Sequence, residues 1–184
     1  MWARSVRADH HERVIALPGD ELISDPIGSL TNAVTIHGSP RDVWPWLAQM
    51  GAGRGGWYSY DFIDTGRQRS AERIRPELQA IRVGTIFPAV PRASDVFSVV
   101  RCEPERALVL AWRLENGTCQ VTWAFALEEV SHDRTRLIVR GRGGSGYRFH
   151  GLPFWLIRLG HFFMQRRQLL GVARRVEASH HRAA

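Results

Sequence analysis

From Val96 to Arg142 the chain holds four runs that alternate at every second residue, joined by three tight turns. Phe97 and Val99 alternate with Val96, Ser98, Val100 and Cys102, and Glu103-Pro104-Glu105 turns the chain into Leu108, Leu110 and Trp112. Asn116-Gly117 turns it again, and Cys119, Val121, Trp123, Phe125 and Leu127 then alternate with Gln120, Thr122, Ala124, Ala126 and Glu128. After Ser131-His132-Asp133, Thr135, Leu137, Val139 and Gly141 alternate with Arg134, Arg136, Ile138, Arg140 and Arg142. A period of two is that of a strand, and turns this short join antiparallel neighbours. The apolar face of such a sheet needs a cover. The element long enough to supply it is a helix starting at Pro153 or its neighbour and reaching about Val176, whose apolar side is Trp155, Leu159, Phe162, Phe163, Leu169, Leu170, Ala173 and Val176. The expected fold is α+β, a curved antiparallel β-sheet whose apolar face is covered by the long C-terminal α-helix.

Upstream, residues 1 to about 30 read as an irregular lead-in, and Asn32 to His37 as a first strand. Ser39-Pro40-Arg41-Asp42 has the form of a helix start, with a capping residue and Pro at the first helical position. Val43, Leu47 and Met50 then share a helical face, and Pro45 is expected to bend the helix. Gly51, Gly53 and Gly56 match the spacing of a dinucleotide-binding turn. They follow a helix and lead into aromatic residues, so that reading is rejected. Residues 61–82 suggest one or two short helices, placing short helices after the first strand.

The 184 residues suit one domain. The apolar stretch Leu152 to Met164 is interrupted by Arg158 and His161 and falls short of the roughly 20 residues that cross a bilayer. The first residues lack the pattern of a secretory signal, and a cytoplasmic location is expected. Cys102 and Cys119 fit no metal or disulfide framework and are read as small buried residues. No metal and no cofactor is expected.

All 25 basic residues are arginine, and from Thr135 onward ten arginines face the single acid Glu177. Such asymmetry suits an anionic partner, while the absence of lysine points to codon bias. The stripe Arg134, Arg136, Arg140 and Arg142 reads best as a solvated outer face of the sheet. No specific nucleic-acid partner is expected, because no reading helix or stacking surface accompanies the charge.

Four segments carry a resemblance: Leu17-Pro18-Gly19-Asp20-Glu21, Val43 to Gly51 (VWPWLAQMG), Gly55 to Asp61 (GGWYSYD) and Met164 to Gly171 (MQRRQLLG). With them the chain, from about Leu17 to Glu177, resembles the SRPBCC superfamily of START-like, polyketide cyclase/dehydrase-like proteins, in a bacterial branch. The resemblance implies a helix-grip fold, with an apolar cavity between sheet and helix. On it, residues 17–177 form the domain and 178–184 a tail. Residues 1–16 form an extension that either covers the cavity or swings free.

The implied function is binding of a small hydrophobic ligand, lipid- or polyketide-like, in that cavity. The first alternative is an enzyme of the cyclase or dehydratase kind, although no catalytic motif maps onto numbered positions here. The second is peripheral membrane lipid transfer through the basic C-terminal region, which is not favoured because the helix's apolar side is already needed for the sheet. Candidate ligand-binding residues are Trp57, Tyr58, Tyr60, Trp112, Trp123, Phe125, His161, Met164 and Gln165. Asp61 and His161 are the candidates for acid-base chemistry, a carboxyl beside aromatic rings and an imidazole four residues before Gln165 on one helical face. The bland alternatives are that Asp61 caps the following short helix and that His161 is a hydrogen-bonded structural residue.

Overall fold

A computed structural model describes residues 5–66, 68–91, 96–144 and 154–183, with side chains described for 159–180 of the last segment. In chain order the elements are α1 (His10–Val14), β1 (Gly28–His37), α2 (Pro40–Ala48), α3 (Asp61–Asp64), β2 (Ile86–Pro88), β3 (Val96–Glu103), β4 (Ala107–Arg113), β5 (Cys119–Ser131), β6 (Arg134–Gly143) and α4 (Phe154–Ala183). The six strands form one antiparallel sheet in the order β1-β6-β5-β4-β3-β2, so the first strand lies beside the last. The helix start at Pro153 and the side chains of Trp155 and Arg158 fall outside the described residues.

Register puts the alternating residues on the faces that period two requires. Val34 pairs with Leu137, Phe125 with Val139, Leu110 with Trp123 and Phe87 with Phe97. These residues share the concave face, where Val34, Leu137, Val139, Phe125, Leu110 and Phe87 are buried in one cluster with Leu169, Val172, Ala173 and Val176 of α4 and Val43, Trp46 and Leu47 of α2. The helix-grip α+β arrangement is therefore present, with α4 and α2 as the layer that removes the apolar face from water. α2 starts where its sequence predicts. The Ser39 backbone N–H donates to Asp42 Oδ2 at 2.8 Å, and Pro40 stands in the first turn.

The buried side of α4 differs from the sequence expectation. Gln165, Gln168, Leu169, Val172, Ala173 and Val176 are buried, whereas Leu159, Phe162 and Phe163 are exposed. A helix turns about 100° per residue, so the line through 165, 168, 172 and 176 leaves 159, 162 and 163 to one side. Two glutamines occupy the stripe that aromatic residues were expected to fill.

The convex face carries the second correction. Residues 5–23 lie across it as a strap. The Ala33 backbone N–H donates to the Val6 carbonyl at 3.2 Å, and Ala8, Ile15 and Leu17 pack on Ala33, Ala126 and Ile138. The strap comes close because the sheet offers alanines there. Gly19, at φ +93°, passes so near that a Cβ would meet Val109 Cγ1 at 2.5 Å.

The arginines expected in water anchor this strap. Arg136 Nη2 donates to Glu12 Oε2 at 2.9 Å; Arg140 donates to the Glu12 and Ile15 carbonyls, each at 2.8 Å, and pairs with Asp20, which Arg142 also meets at 3.0 Å. Arg140 retains only 4% of its exposure. Burying guanidinium groups is tolerable only with such acceptors in place. Arg134, at the strand end, stays exposed.

Candidate functional site

Two places gather the polar and aromatic residues singled out in the sequence. The first lies on the concave face under the N-terminal half of α4. β5 projects Trp123 and Phe125 there, and the segment after α2 brings in Trp57, which stacks on Trp123 with ring centres 5.1 Å apart and planes 24° from parallel. Phe97 meets both indoles edgewise or tilted, and Phe125 lies 5.2 Å from Trp123. Trp57 is fixed by its own indole N–H, which donates to the Ala89 carbonyl at 2.9 Å. Trp112, two residues along β4 from Leu110, faces the same side at the register of Val121.

α4 completes this place with His161, whose ring centre is 5.6 Å from that of Trp123. The close approach uses Gly141, since a Cβ there would sit 3.2 Å from His161 Nε2. One and two turns on, at spacings that share a face, Gln165 receives a hydrogen bond from Asn32 Nδ2 and Gln168 Nε2 contacts Met50 Sδ at 3.8 Å. Trp123 Nε1, His161 Nε2, Gln165 Nε2 and Gln168 Oε1 are all buried without a hydrogen-bond partner. Buried polar groups are satisfied in the great majority of native structures, so four between the sheet and α4 is a concentration of unmet hydrogen bonding. Burial pushes the His161 imidazole down to about 4, which makes it a neutral ring at physiological pH. Met164 is half-buried on the same helix.

The second place is a polar cleft of about 200 Å³ on another side of α4, lined by Tyr58, Ser59, Asp61, Glu72, Arg167, Leu170, Gly171, Arg174 and Arg175. Tyr58 is its buried wall. The hydroxyl donates to the Trp46 carbonyl at 3.0 Å and accepts from Gln49 Nε2 at 2.9 Å, so it is spent on the fold. Burial holds that phenol well above its ordinary range. The Arg175 guanidinium covers the ring at 4.6 Å. Tyr60 is exposed, with Arg167 6.0 Å from its ring centre.

Asp61 does not cap α3. The cap position belongs to Tyr60, and the Asp61 carboxylate instead receives Ser70 Oγ at 2.6 Å and the Ser70 backbone N–H at 3.1 Å. It ties the loop ahead of residue 70 to the start of α3. His161 and Asp61 thus occupy separate places, and Trp57, Trp112, Trp123, Phe125, His161 and Gln165 gather on the concave face. Gln165 is marked in the sequence by its spacing from His161, whereas Gln168 leaves no trace in the apolar pattern of the helix. The arginine cleft had one available signal, arginines spaced to share one side of a helix that also carries Gly171.

The chain has the helix-grip architecture, a six-stranded antiparallel sheet gripping a C-terminal helix. Among solved structures it is similar to the protein MLL2253 of Mesorhizobium loti, at 15% identity and TM-score 0.49, covering 82% of this chain and 98% of that one. It is also similar to PFC0360w, an HSP90 activator of Plasmodium falciparum, at 14% identity and TM-score 0.49, covering 74% and 88%. The Polyketide_cyc-like protein Cgl2372 of Corynebacterium glutamicum aligns at 17% identity and TM-score 0.43, covering 82% and 92%. At these identities the likeness is one of backbone. No family model matches the chain, and no curated protein matches it.

Proposed function

We propose that the protein binds a small, uncharged, largely apolar molecule against the concave face of the sheet, between Trp123 and the N-terminal half of α4. The observation that carries this reading is the pair of unpartnered buried nitrogens, Trp123 Nε1 and His161 Nε2, on rings whose centres lie 5.6 Å apart in an aromatic wall. A ligand carbonyl or hydroxyl supplies what both lack, and the rings of Trp57, Phe97 and Phe125 take its apolar body. A carboxylate or ammonium fits less well. No charged side chain accompanies His161 and Trp123 in this set of described residues, and an unpaired charge there is costly.

The test is native mass spectrometry of the purified protein, with extraction and identification of any retained small molecule. It is followed by tryptophan-fluorescence titration with an anthraquinone-type ketone and a long-chain fatty acid. Saturable quenching by the ketone, weakened about tenfold in His161→Phe, is the expected result, the size expected for losing one well-placed hydrogen bond. Absence of any retained molecule together with flat titrations overturns the reading.

A second reading rests on Leu159, Phe162 and Phe163, which are exposed on α4 beside Arg166. Apolar side chains rimmed by arginine suit the surface of an anionic bilayer. Salt-sensitive binding to vesicles containing phosphatidylserine, lost in Phe162→Ser/Phe163→Ser, distinguishes lipid transfer from binding of a soluble molecule.

A further inference from the structure

We infer that the cleft between residues 58–61 and α4 is a binding site for a phosphate group, distinct from the concave-face groove. Its walls carry three guanidinium groups and two carboxylates, and the carboxylates are already engaged. Asp61 accepts twice from Ser70, and Glu72 Oε1 is shared by Arg175 at 2.8 Å and Arg174 at 3.4 Å. Arg167 meets no carboxylate among the described residues; its contact is the face of Tyr60. The unbalanced charge in the cleft is positive.

The cleft is also built in advance. Arg175 is buried; its Nε donates to the Ala71 carbonyl at 2.7 Å, its Nη1 to the Gly171 carbonyl at 3.1 Å and its Nη2 to Glu72. A guanidinium has five N–H groups, so two remain for a ligand on a fork that cannot rotate away. Arg167 and Arg174 lie a full two turns apart on α4, at a spacing that brings both to the same side. Convergent guanidinium groups, one of them fixed, suit the several acceptor oxygens of a phosphate. The volume of about 200 Å³ sets the scale at a phosphate with a small organic remainder. The group can come from a soluble phosphate ester or from a lipid headgroup, the latter presented close to the exposed Phe163 one turn before Arg167.

The experiment uses the whole chain and its Arg167→Gln/Arg174→Gln variant, which alters exposed side chains and leaves Arg175 and Tyr58 in place. Arg106→Gln/Arg134→Gln, which removes two charges at exposed positions away from the cleft, serves as the charge-matched control. Calorimetric titration with glycerol 1-phosphate reads the soluble source, and flotation with phosphatidylcholine vesicles with or without phosphatidic acid reads the headgroup source. Saturable binding in either arm, weakened tenfold or more in Arg167→Gln/Arg174→Gln and unchanged in the charge-matched control, is expected. Binding in the first arm assigns a soluble ligand, and binding in the second alone assigns the headgroup. No binding in both arms, or equal weakening in the control, overturns the assignment. Arg167 and Arg174 line this cleft and not the aromatic wall at Trp123, so the concave-face titration is expected to be unchanged in the double variant and failure here stands apart from failure of that reading.

Discussion

Gly171 of α4 and Tyr58 meet backbone to backbone. A Cβ on Gly171 would lie 2.3 Å from the Tyr58 carbonyl oxygen and 3.0 Å from its Cβ, and Tyr58 itself holds a left-handed backbone at φ 62°. The polar cleft owes its wall to this contact, because any side chain at 171 would push α4 away from the loop.

Two alanine substitutions in the same helix should therefore have opposite signs. Gly171→Ala is expected to cost about 1–3 kcal/mol by overpacking, against a backbone that cannot swing aside. Gly160→Ala meets nothing within 4 Å and is expected to gain up to about 1 kcal/mol from helix propensity. Urea unfolding of the two variants checks both; a stabilised Gly171→Ala contradicts the close approach.

Tyr58→Phe removes a hydroxyl that serves both Trp46 and Gln49. Each is left with a buried group short of a partner, and the expected loss is about 1–3 kcal/mol. Thermal denaturation measures it. Ligand binding in the concave groove should be nearly unchanged, because the hydroxyl points into the protein.

His161 links stability to pH. Its imidazole is held at about 4 in the folded protein, against 6.5 as the ordinary value. Between those pH values the unfolded chain binds a proton that the folded one refuses, so stability falls as pH drops from about 6.5 toward about 4. His161→Phe removes this slope, worth up to about 3 kcal/mol at the acid end. Urea midpoints at pH 7 and pH 4.5 report the difference. An NMR titration of the wild-type ring should show no protonation above pH 5.

Glu12 acts at lower pH. The hydrogen bond from Arg136 holds its carboxyl below 4.5, so the stability it contributes is present above that pH and is lost as pH falls through its folded value. Glu12→Gln is expected to cost about 1–3 kcal/mol at pH 7, and less as pH falls through the folded value of the carboxyl. Hydrogen exchange at Ala33, whose N–H binds the Val6 carbonyl, should rise in the variant at pH 7 if the strap loosens.

The strands were legible because Trp123, Phe125 and Leu127 alternate with small or polar neighbours, and Asn116-Gly117 marks its turn without help from distant residues. β1 begins at Gly28, ahead of the pattern at Asn32, because β6 continues to Gly143 and extends the pairing. β2 was missed since three residues carry no period. The strap was unreadable for a different reason. Its hold is a set of carboxylate–guanidinium pairs whose partners lie more than a hundred positions away, and Glu12 looks like any surface acid until Arg136 is beside it. In α4, hydrophobicity pointed to Phe162 and Phe163, whereas the sheet receives Gln165 and Gln168. The groove was half visible, in its aromatic residues. The arginine cleft had only the spacing of its helix arginines to mark it, because Tyr58, Glu72 and Arg167 come from separate parts of the chain.

The seam between β1 and β6 sets a timetable for assembly. Thr35 and Arg136, neighbours across it, are 101 positions apart, and every pair along the seam spans a comparable length. A chain emerging from the ribosome holds β1 and the strap without their partner strand until β6 has been made, while β3, β4 and β5 can pair as local hairpins. Long-range pairing of this kind belongs to folds that take milliseconds to seconds. During synthesis the exposed edge of β1 is thus the stretch most open to mispairing, and its closure by β6 is a late event that commits both ends of the chain together.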